Sequence, residues 1–251
     1  MTILVTGGTG TLGTPTVALL RAAGHDVRIL SRKPGPDRVL GDVTTGAGLR
    51  EALVGVDTVL HLATSAGSKD PAQTRNVVDA ARHAGVTHLV YISIVGVDLV
   101  PYPYYRAKLE SERVIEESGI PFTILRATQF HDFMVMFIEL QKRMPVLLSL
   151  EVPDQPIAVE EVATRLAELV EAGPSGRVAD IGGPEQLMVR EGIAQWQRAT
   201  GSRRPVWTLH LWGKIIRSFK AGDHMPGLPG YGRQTFAEYL AARYGHGTNE
   251  A

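Results

Sequence analysis

The stretch that most restricts this chain is Thr2 to Leu20, TILVTGGTGTLGTPTVALL. Five residues suited to a buried strand run into GGTGTLG, and the helical pattern TPTVALL follows at once. Gly7, Gly10 and Gly13 form G-x-x-G-x-x-G, with Thr11 and Leu12 inside the motif. Backbone that approaches a pyrophosphate needs positions without Cβ, and the turn needs permissive φ/ψ. The first turn of a helix then offers N–H groups and the positive end of its dipole to the phosphates. A glycine triplet also suits a mere tight turn. The strand–turn–helix context predicts a dinucleotide-phosphate site.

Short runs rich in Val, Ile and Leu alternate with helical stretches through the first 130 residues: TILVT, DVRIL from Asp26, DTVLHLA from Asp57, HLVYIS from His88 and FTILRA from Phe122. Strands buried on both faces read this way, and the alternation is that of βαβ units. Helices ending on Gly24, Gly85 and Gly119 connect them. The expectation is an α/β fold: a Rossmann-type doubly wound parallel sheet with a smaller, mostly helical C-terminal, substrate-side part. Residues 1–251 read as a single domain, with a cofactor-binding core over about 1–130 and substrate-side segments over about 131–251. A late strand near 177–182 is expected to return to the sheet.

The second strand should end beside an adenosine ribose, where a carboxylate would take the 2′-hydroxyl of NAD. No carboxylate stands there. Ser31, Arg32 and Lys33 do. A hydroxyl and two cations suit the 2′-phosphate of NADP(H), Arg32 by a forked bond and by stacking on adenine; the alternative is a solvated basic loop. Beyond the short strand RVLGDV, Asp42 would accept from the adenine amino group or cap its own turn, with Val43 beside it. Ala63 and Thr64, at the end of the strand from Asp57, join the cofactor set, as do Ala127, Thr128 and Gln129 after the fifth major strand.

Composition narrows the partners. The chain has 251 residues, 44% of them hydrophobic, with 26 basic residues against 26 acidic ones and no cysteine. Such a chain can bury a full core, and no global field would hold it on nucleic acid or an anionic membrane. Disulfides and thiol catalysis are excluded, and a cytoplasmic location is the expectation. No apolar run approaches a membrane span, and the N-terminus begins with a strand rather than a basic, cleavable leader. The eight histidines show no metal-ligand spacing, so no metal is expected. Oligomeric state is not readable.

Tyr104 and Lys108 stand four apart at the start of a predicted helix and so share a face. A tyrosine hydroxyl has an intrinsic pKa of about 10, and an adjacent ammonium favours its phenolate, as a proton shuttle requires. Tyr105, one residue on, is the alternative. Ser93, near the end of its strand, is placed to bond the same substrate oxygen. His131 lies between two aromatics and reads as structural before substrate-facing. The stripe FMVMFIEL from Phe133 reads as core packing.

Together VTGGTGTLG, LSRKP, GDVTT, YISIVG, PYYRAKLESE and TILRATQF resemble the short-chain dehydrogenase/reductase superfamily in its atypical branch of NmrA-like and NAD(P)H-binding proteins, over about residues 1–185. The resemblance implies a Rossmann-type domain binding NADP(H), Ser93, Tyr104 and Lys108 as a catalytic set, and Lys108 on the nicotinamide ribose. It does not imply one chemistry, since the branch is similar to reducers of quinones, carbonyls and enes, to epimerases and to catalytically silent redox sensors. The Met, Phe and Trp of the C-terminal part favour an NADPH-dependent oxidoreductase that reduces a small or medium apolar carbonyl, quinone or activated alkene, with a silent NADP(H)-binding redox sensor as the alternative.

Overall fold

The computed structural model describes residues 1–245. The elements run β1 (Thr2–Thr6), α1 (Gly13–Ala22), β2 (Asp26–Ser31), β3 (Arg38–Leu40), α2 (Leu49–Ala52), β4 (Thr58–His61), α3 (Asp70–Ala84), β5 (His88–Ile94), α4 (Pro103–Glu116) and β6 (Phe122–Ala127). They continue with α5 (His131–Glu139), β7 (Leu147–Leu150), β8 (Pro153–Asp154), α6 (Val159–Ala172), β9 (Gly176–Arg177), β10 (Leu187–Met188), α7 (Val189–Thr200), β11 (Val206–Leu209), α8 (Lys214–Ala221) and α9 (Phe236–Tyr244).

The apolar runs pair as one seven-stranded parallel sheet in the order β3-β2-β1-β4-β5-β6-β9. Ile3 is opposite Val27 on one side and Thr58 on the other, which makes β1 an interior strand. The chain works outward from β1 through β2 to β3, then returns and works outward the other way from β4. That reversal leaves the C-terminal ends of β1 and β4 side by side with their loops diverging, the position at which open α/β sheets hold ligands. Leu4, Val59, Leu89 and Ile124 of the sheet pack with Val77, Ala81 and Ile115 of α3 and α4, all nearly or fully buried. Each of the Leu, Val and Ile side chains contributes about 1.5–3 kcal/mol on removal from water. Gly24, Gly85 and Gly119 all take positive φ just past their helices, the conformation for which a cap glycine is chosen.

The chain divides into two units: residues 1–98, 102–126 and 160–179 form the first, and 99–101, 127–159 and 180–251 the second. The second unit carries its own core, in which Met134, Val135 and Ile138 of α5 meet Leu147, Ile193, Trp196, Phe236 and Leu240. Helices α5, α7, α8 and α9 belong to it, but so do two small two-stranded sheets, β10-β8 and β11-β7. A strand of four residues, or of two, is too short for a period to show, so these sheets leave no mark in the sequence. Strand β4 stops at His61 instead of running to Ala63, because the Ala63 N–H turns to the Thr6 hydroxyl at 3.2 Å. The late strand is only Gly176–Arg177; beyond it Val178 N–H donates to the Ile124 carbonyl at 3.1 Å.

Candidate active site

The glycine loop leaves β1 with no spare volume. Gly7 has φ +71°, and a Cβ there would lie 2.8 Å from Ala63 N in the loop after β4. A Cβ on Gly13 would lie 2.2 Å from the Gly7 carbonyl oxygen and 2.6 Å from Gly8 Cα. Gly10 donates its N–H to the Gly7 carbonyl at 3.0 Å, and Thr14 donates to Gly10 at 3.0 Å, so the turn runs straight into α1. Thr11 is exposed and Leu12 buried at the mouth of the helix. Nothing but glycine fits these approaches, and backbone brought this close at a helix N-terminus has the form of a phosphate cradle.

At the end of β2 the Ser31 hydroxyl donates to the Lys33 carbonyl at 2.9 Å and accepts from Lys33 N–H at 3.1 Å. This serine turn projects the exposed Arg32 and Lys33 outward. Asp42 caps its own turn, its Oδ1 accepting from Thr44 N–H at 2.8 Å. Val43 is half-buried and its carbonyl accepts from Asn76 at 2.9 Å.

One stripe of α4 spans three strand ends. Tyr104 Oη is 3.2 Å from Thr64 Oγ1 after β4, Lys108 Nζ donates to the Ile92 carbonyl of β5 at 2.8 Å, and the Glu112 carboxylate takes Arg126 Nε and Nη2 of β6 at 2.9 and 2.6 Å. Residues four apart on a helix share a face, so a single docking of α4 fixes all three. Thr64 donates its one proton to Asp70 Oδ2 at 2.5 Å, which makes Tyr104 the donor in the Tyr104–Thr64 contact. Ser65 also donates to Asp70, through N–H at 2.8 Å and Oγ at 2.6 Å.

Lys108 is buried, with Nζ 4.3 Å from the Tyr91 ring centroid. Burial pushes its pKa down, while the charges of Tyr104, Asp70 and Glu112 push it up. An ammonium has three donors, and Ile92 takes one. Ser93 Oγ, beside it on β5, is buried with no hydrogen-bond partner among the described residues. A buried hydroxyl left unpaired calls for an external partner. Tyr105 is buried against Tyr102 and Tyr104, so Tyr104 and not its neighbour stands at the Thr64–Asp70 cluster.

Arg126 is the charged residue that FTILRA carries into an apolar strand. Burial works against its charge, and the Glu112 and Asp98 carboxylates more than restore it. Asp98 lies 3.0 Å from its Nη1.

His61, Asp70, Glu112 and Arg126 are site neighbours that the sequence reading passed over. His61 ends β4 between two hydroxyls, Thr6 Oγ1 at 2.7 Å from Nδ1 and Thr74 Oγ1 at 3.2 Å from Nε2. Burial lowers its pKa from 6.5 to about 3, with the Lys108 charge adding to the shift and Asp70 opposing it. Its imidazole therefore stays neutral when the native protein is acidified, whereas in the unfolded chain it protonates. Between pH 6.5 and about 3 stability should fall as pH falls, by up to about 1.4 kcal/mol per pH unit from this group. Burial lowers His88 and His224 in the same sense. Urea melts between about pH 7 and pH 5 should show the loss, and His61→Gln should lessen the slope; an unaltered slope in the variant would contradict the assignment.

Ala127, Thr128 and Gln129 lie in the second unit. Thr128 donates its N–H to the Ile181 carbonyl at 3.0 Å and its hydroxyl to the Gln155 carbonyl at 2.6 Å. Ala127 is buried and bridges to Ile181, and the Gln129 carbonyl accepts from Ile157 N–H at 2.9 Å. These bonds hold the segment in place within its unit. His131 is wholly buried, 3.1 Å from the Gln234 carbonyl and packed on Phe236 and Tyr239, a structural role. Among the described residues no group of His, Asp and Glu side chains is arranged to hold a metal ion; His246 lies outside them.

Known proteins resemble this chain in sequence and in fold. A sequence model of the NAD(P)H-binding family matches residues 7–172. The (4-alkanoyl-5-oxo-2,5-dihydrofuran-3-yl)methyl phosphate reductase of Streptomyces griseus is 32% identical over 213 residues, spanning 79% of this chain and 74% of that one. Quinone oxidoreductase 2 of Escherichia coli is 31% identical over 135 residues, spanning 49% of this chain and 47% of that one. The solved NADPH complex of an E. coli NADPH-dependent quinone oxidoreductase has the same fold, with a TM-score of 0.78 at 21% identity over 96% of this chain and 99% of that one. So does the Citrobacter triphenylmethane reductase complexed with NADP(H), at 0.77 and 19% over 97% and 100%. The chain belongs to the NAD(P)H-binding family, in the atypical NmrA-like branch of the short-chain dehydrogenase/reductase superfamily.

Proposed function

We propose that the protein is an NADPH-dependent reductase of a small or medium apolar carbonyl, quinone or activated alkene, with Tyr104 as the proton donor. The observation that carries the reading is the α4 stripe, in which a tyrosine hydroxyl and a buried ammonium stand one helical turn apart beside the strand ends. A protein that only sensed the cofactor would have no use for this pair. The bound nicotinamide supplies a hydride.

The chain's own residues do the rest. The loop of Gly7, Gly10 and Gly13 receives the pyrophosphate, and Arg32 and Lys33 meet the 2′-phosphate of NADPH. Lys108 has donors left for the nicotinamide ribose, and its positive charge steadies the phenolate formed when Tyr104 releases its proton. Thr64, itself fixed by Asp70, holds Tyr104 ready until substrate takes over as acceptor. The unpartnered Ser93 hydroxyl bonds the substrate oxygen.

The test follows NADPH oxidation against quinones, aldehydes, ketones and enones, with NADH as the competing cofactor. The native protein should turn over at least one class and prefer NADPH. Tyr104→Phe should keep cofactor affinity and lose on the order of 10²-fold or more in rate. A variant as fast as the native protein removes Tyr104 from the chemistry. No turnover across the panel, together with tight NADPH binding, supports the redox-sensor reading instead.

A further inference from the structure

We propose that the second unit carries a docking surface for anionic phospholipid bilayers, centred on β11 and α8. The overall charge balance conceals a segregation. Between Gly192 and Gly222 the chain has six basic residues, Arg198, Arg203, Arg204, Lys214, Arg217 and Lys220, and no acidic one. The compensating negative charge is spread over the rest of the chain. Glu151 pairs with Lys220 and His210, at 2.7 and 3.2 Å. Lys214, Arg217, Arg198 and Arg203 make no ion pair with any described residue.

Large apolar side chains stand open among these cations. Trp212 is 91% exposed and Trp207 63%, with Leu209 and Leu211 also exposed. Alternation along β11 puts Trp207 and Leu209 on the same side of the ribbon, opposite Val206 and Thr208. The following helix is two-faced: Ile215, Ile216 and Phe219 form one side, Lys214, Arg217 and Lys220 the other. None of its residues is buried, so its apolar side is only half covered. At the other end of β11, Arg204 donates to the carbonyls of Gln141 and Met144, whose chain neighbours Leu140, Lys142 and Arg143 are exposed.

Cations flanking exposed indoles and leucines form the pattern of an interfacial surface: the rings enter the boundary of headgroup and hydrocarbon, and the basic groups meet lipid phosphates. The charge sign selects an anionic bilayer. Duplex DNA would satisfy the cations through its phosphates and leave Leu140, Leu211 and the two indoles in water.

Sedimentation with vesicles of equal parts phosphatidylcholine and phosphatidylglycerol tests this, beside vesicles of phosphatidylcholine alone and a random-sequence DNA duplex. The native protein should bind the anionic vesicles with a blue shift of tryptophan emission, and salt should release it. Lys214→Glu with Arg217→Glu should weaken binding by roughly 30-fold or more. Trp212→Ser should remove most of the blue shift. Both variants should melt and bind NADPH like the native protein, since these side chains are exposed. Failure to bind anionic vesicles, equal binding to the neutral ones, tighter binding to the DNA, or a stable dimer that already shields Trp212 from quencher would each overturn the proposal.

Discussion

A Glu112→Ala variant is expected to lose about 3–5 kcal/mol of folding stability. The substitution removes two of the bonds that hold the Arg126 guanidinium, which is only 3% exposed, and leaves the exposed Asp98, 3.0 Å from Nη1, as its ion partner. A buried charge stripped of its buried partner has only one exposed carboxylate left to set against its desolvation. Replacing both residues with apolar ones, Glu112→Leu with Arg126→Met, should therefore cost less than Glu112→Ala alone. Chemical denaturation of the three proteins decides the matter: a double variant no better than the single one would mean that packing of the Glu112 stem, and not its charge, holds α4. Because Tyr104 and Lys108 ride on the same face of α4, the single variant should also lose reductase rate and, through the ribose contact proposed for Lys108, some NADPH affinity.

Gly13→Ala should be at least as damaging, and in a different way. The new methyl would lie 2.2 Å from the Gly7 carbonyl oxygen and 2.6 Å from Gly8 Cα, both backbone atoms that cannot swing aside. Either the glycine loop shifts or α1 withdraws from β1, and both deform the loop proposed to receive the NADPH pyrophosphate. The expectation is loss of measurable NADPH binding by titration, together with several kcal/mol of stability, at the upper end of single-residue effects. Gly55→Ala supplies the contrast: its Cβ would meet nothing within 4 Å, so its cost is confined to the positive φ. Native-like NADPH affinity in Gly13→Ala would show that the loop yields.

The parts of the fold that are local patterns were legible before any coordinates. Alternating apolar runs and cap glycines specify the βαβ order, and the spacing of Gly7, Gly10 and Gly13 specifies the tight turn. The Tyr104–Lys108 pair is visible for the same reason, since helical spacing is enough to place both on one face. Glu112 and Arg126 are 14 residues apart, on different elements, and their meeting depends on β5 and β6 lying side by side under α4. The Thr64–Asp70 bond depends on how a loop closes over the end of β4, which no periodicity encodes. The signal that was present and went unread is Arg126 itself: a cation inside a strand buried on both faces requires a carboxylate within reach. Thr128 has a structural use beside the one read from its position. A polar residue after a strand end suggests ligand contact, yet both its donors are engaged by carbonyls of its own unit.

The chain passes between the two units more than once, and this limits how the molecule can be cut. A protein ending after Arg126 would keep every residue of the glycine loop and the α4 stripe, but it would lack α6 and β9. Gly176 and Arg177 would no longer pair with Thr123 and Ile124, and Ser175 N–H would no longer reach the Phe122 carbonyl. β6, with its TILRA run, would become an open edge strand of strongly apolar character, a template for intermolecular pairing. A soluble minimal cofactor-binding fragment must therefore splice residues 160–179 back onto the first unit, and a chimera that borrows the second unit from a relative needs separate junctions on both sides of that returning segment.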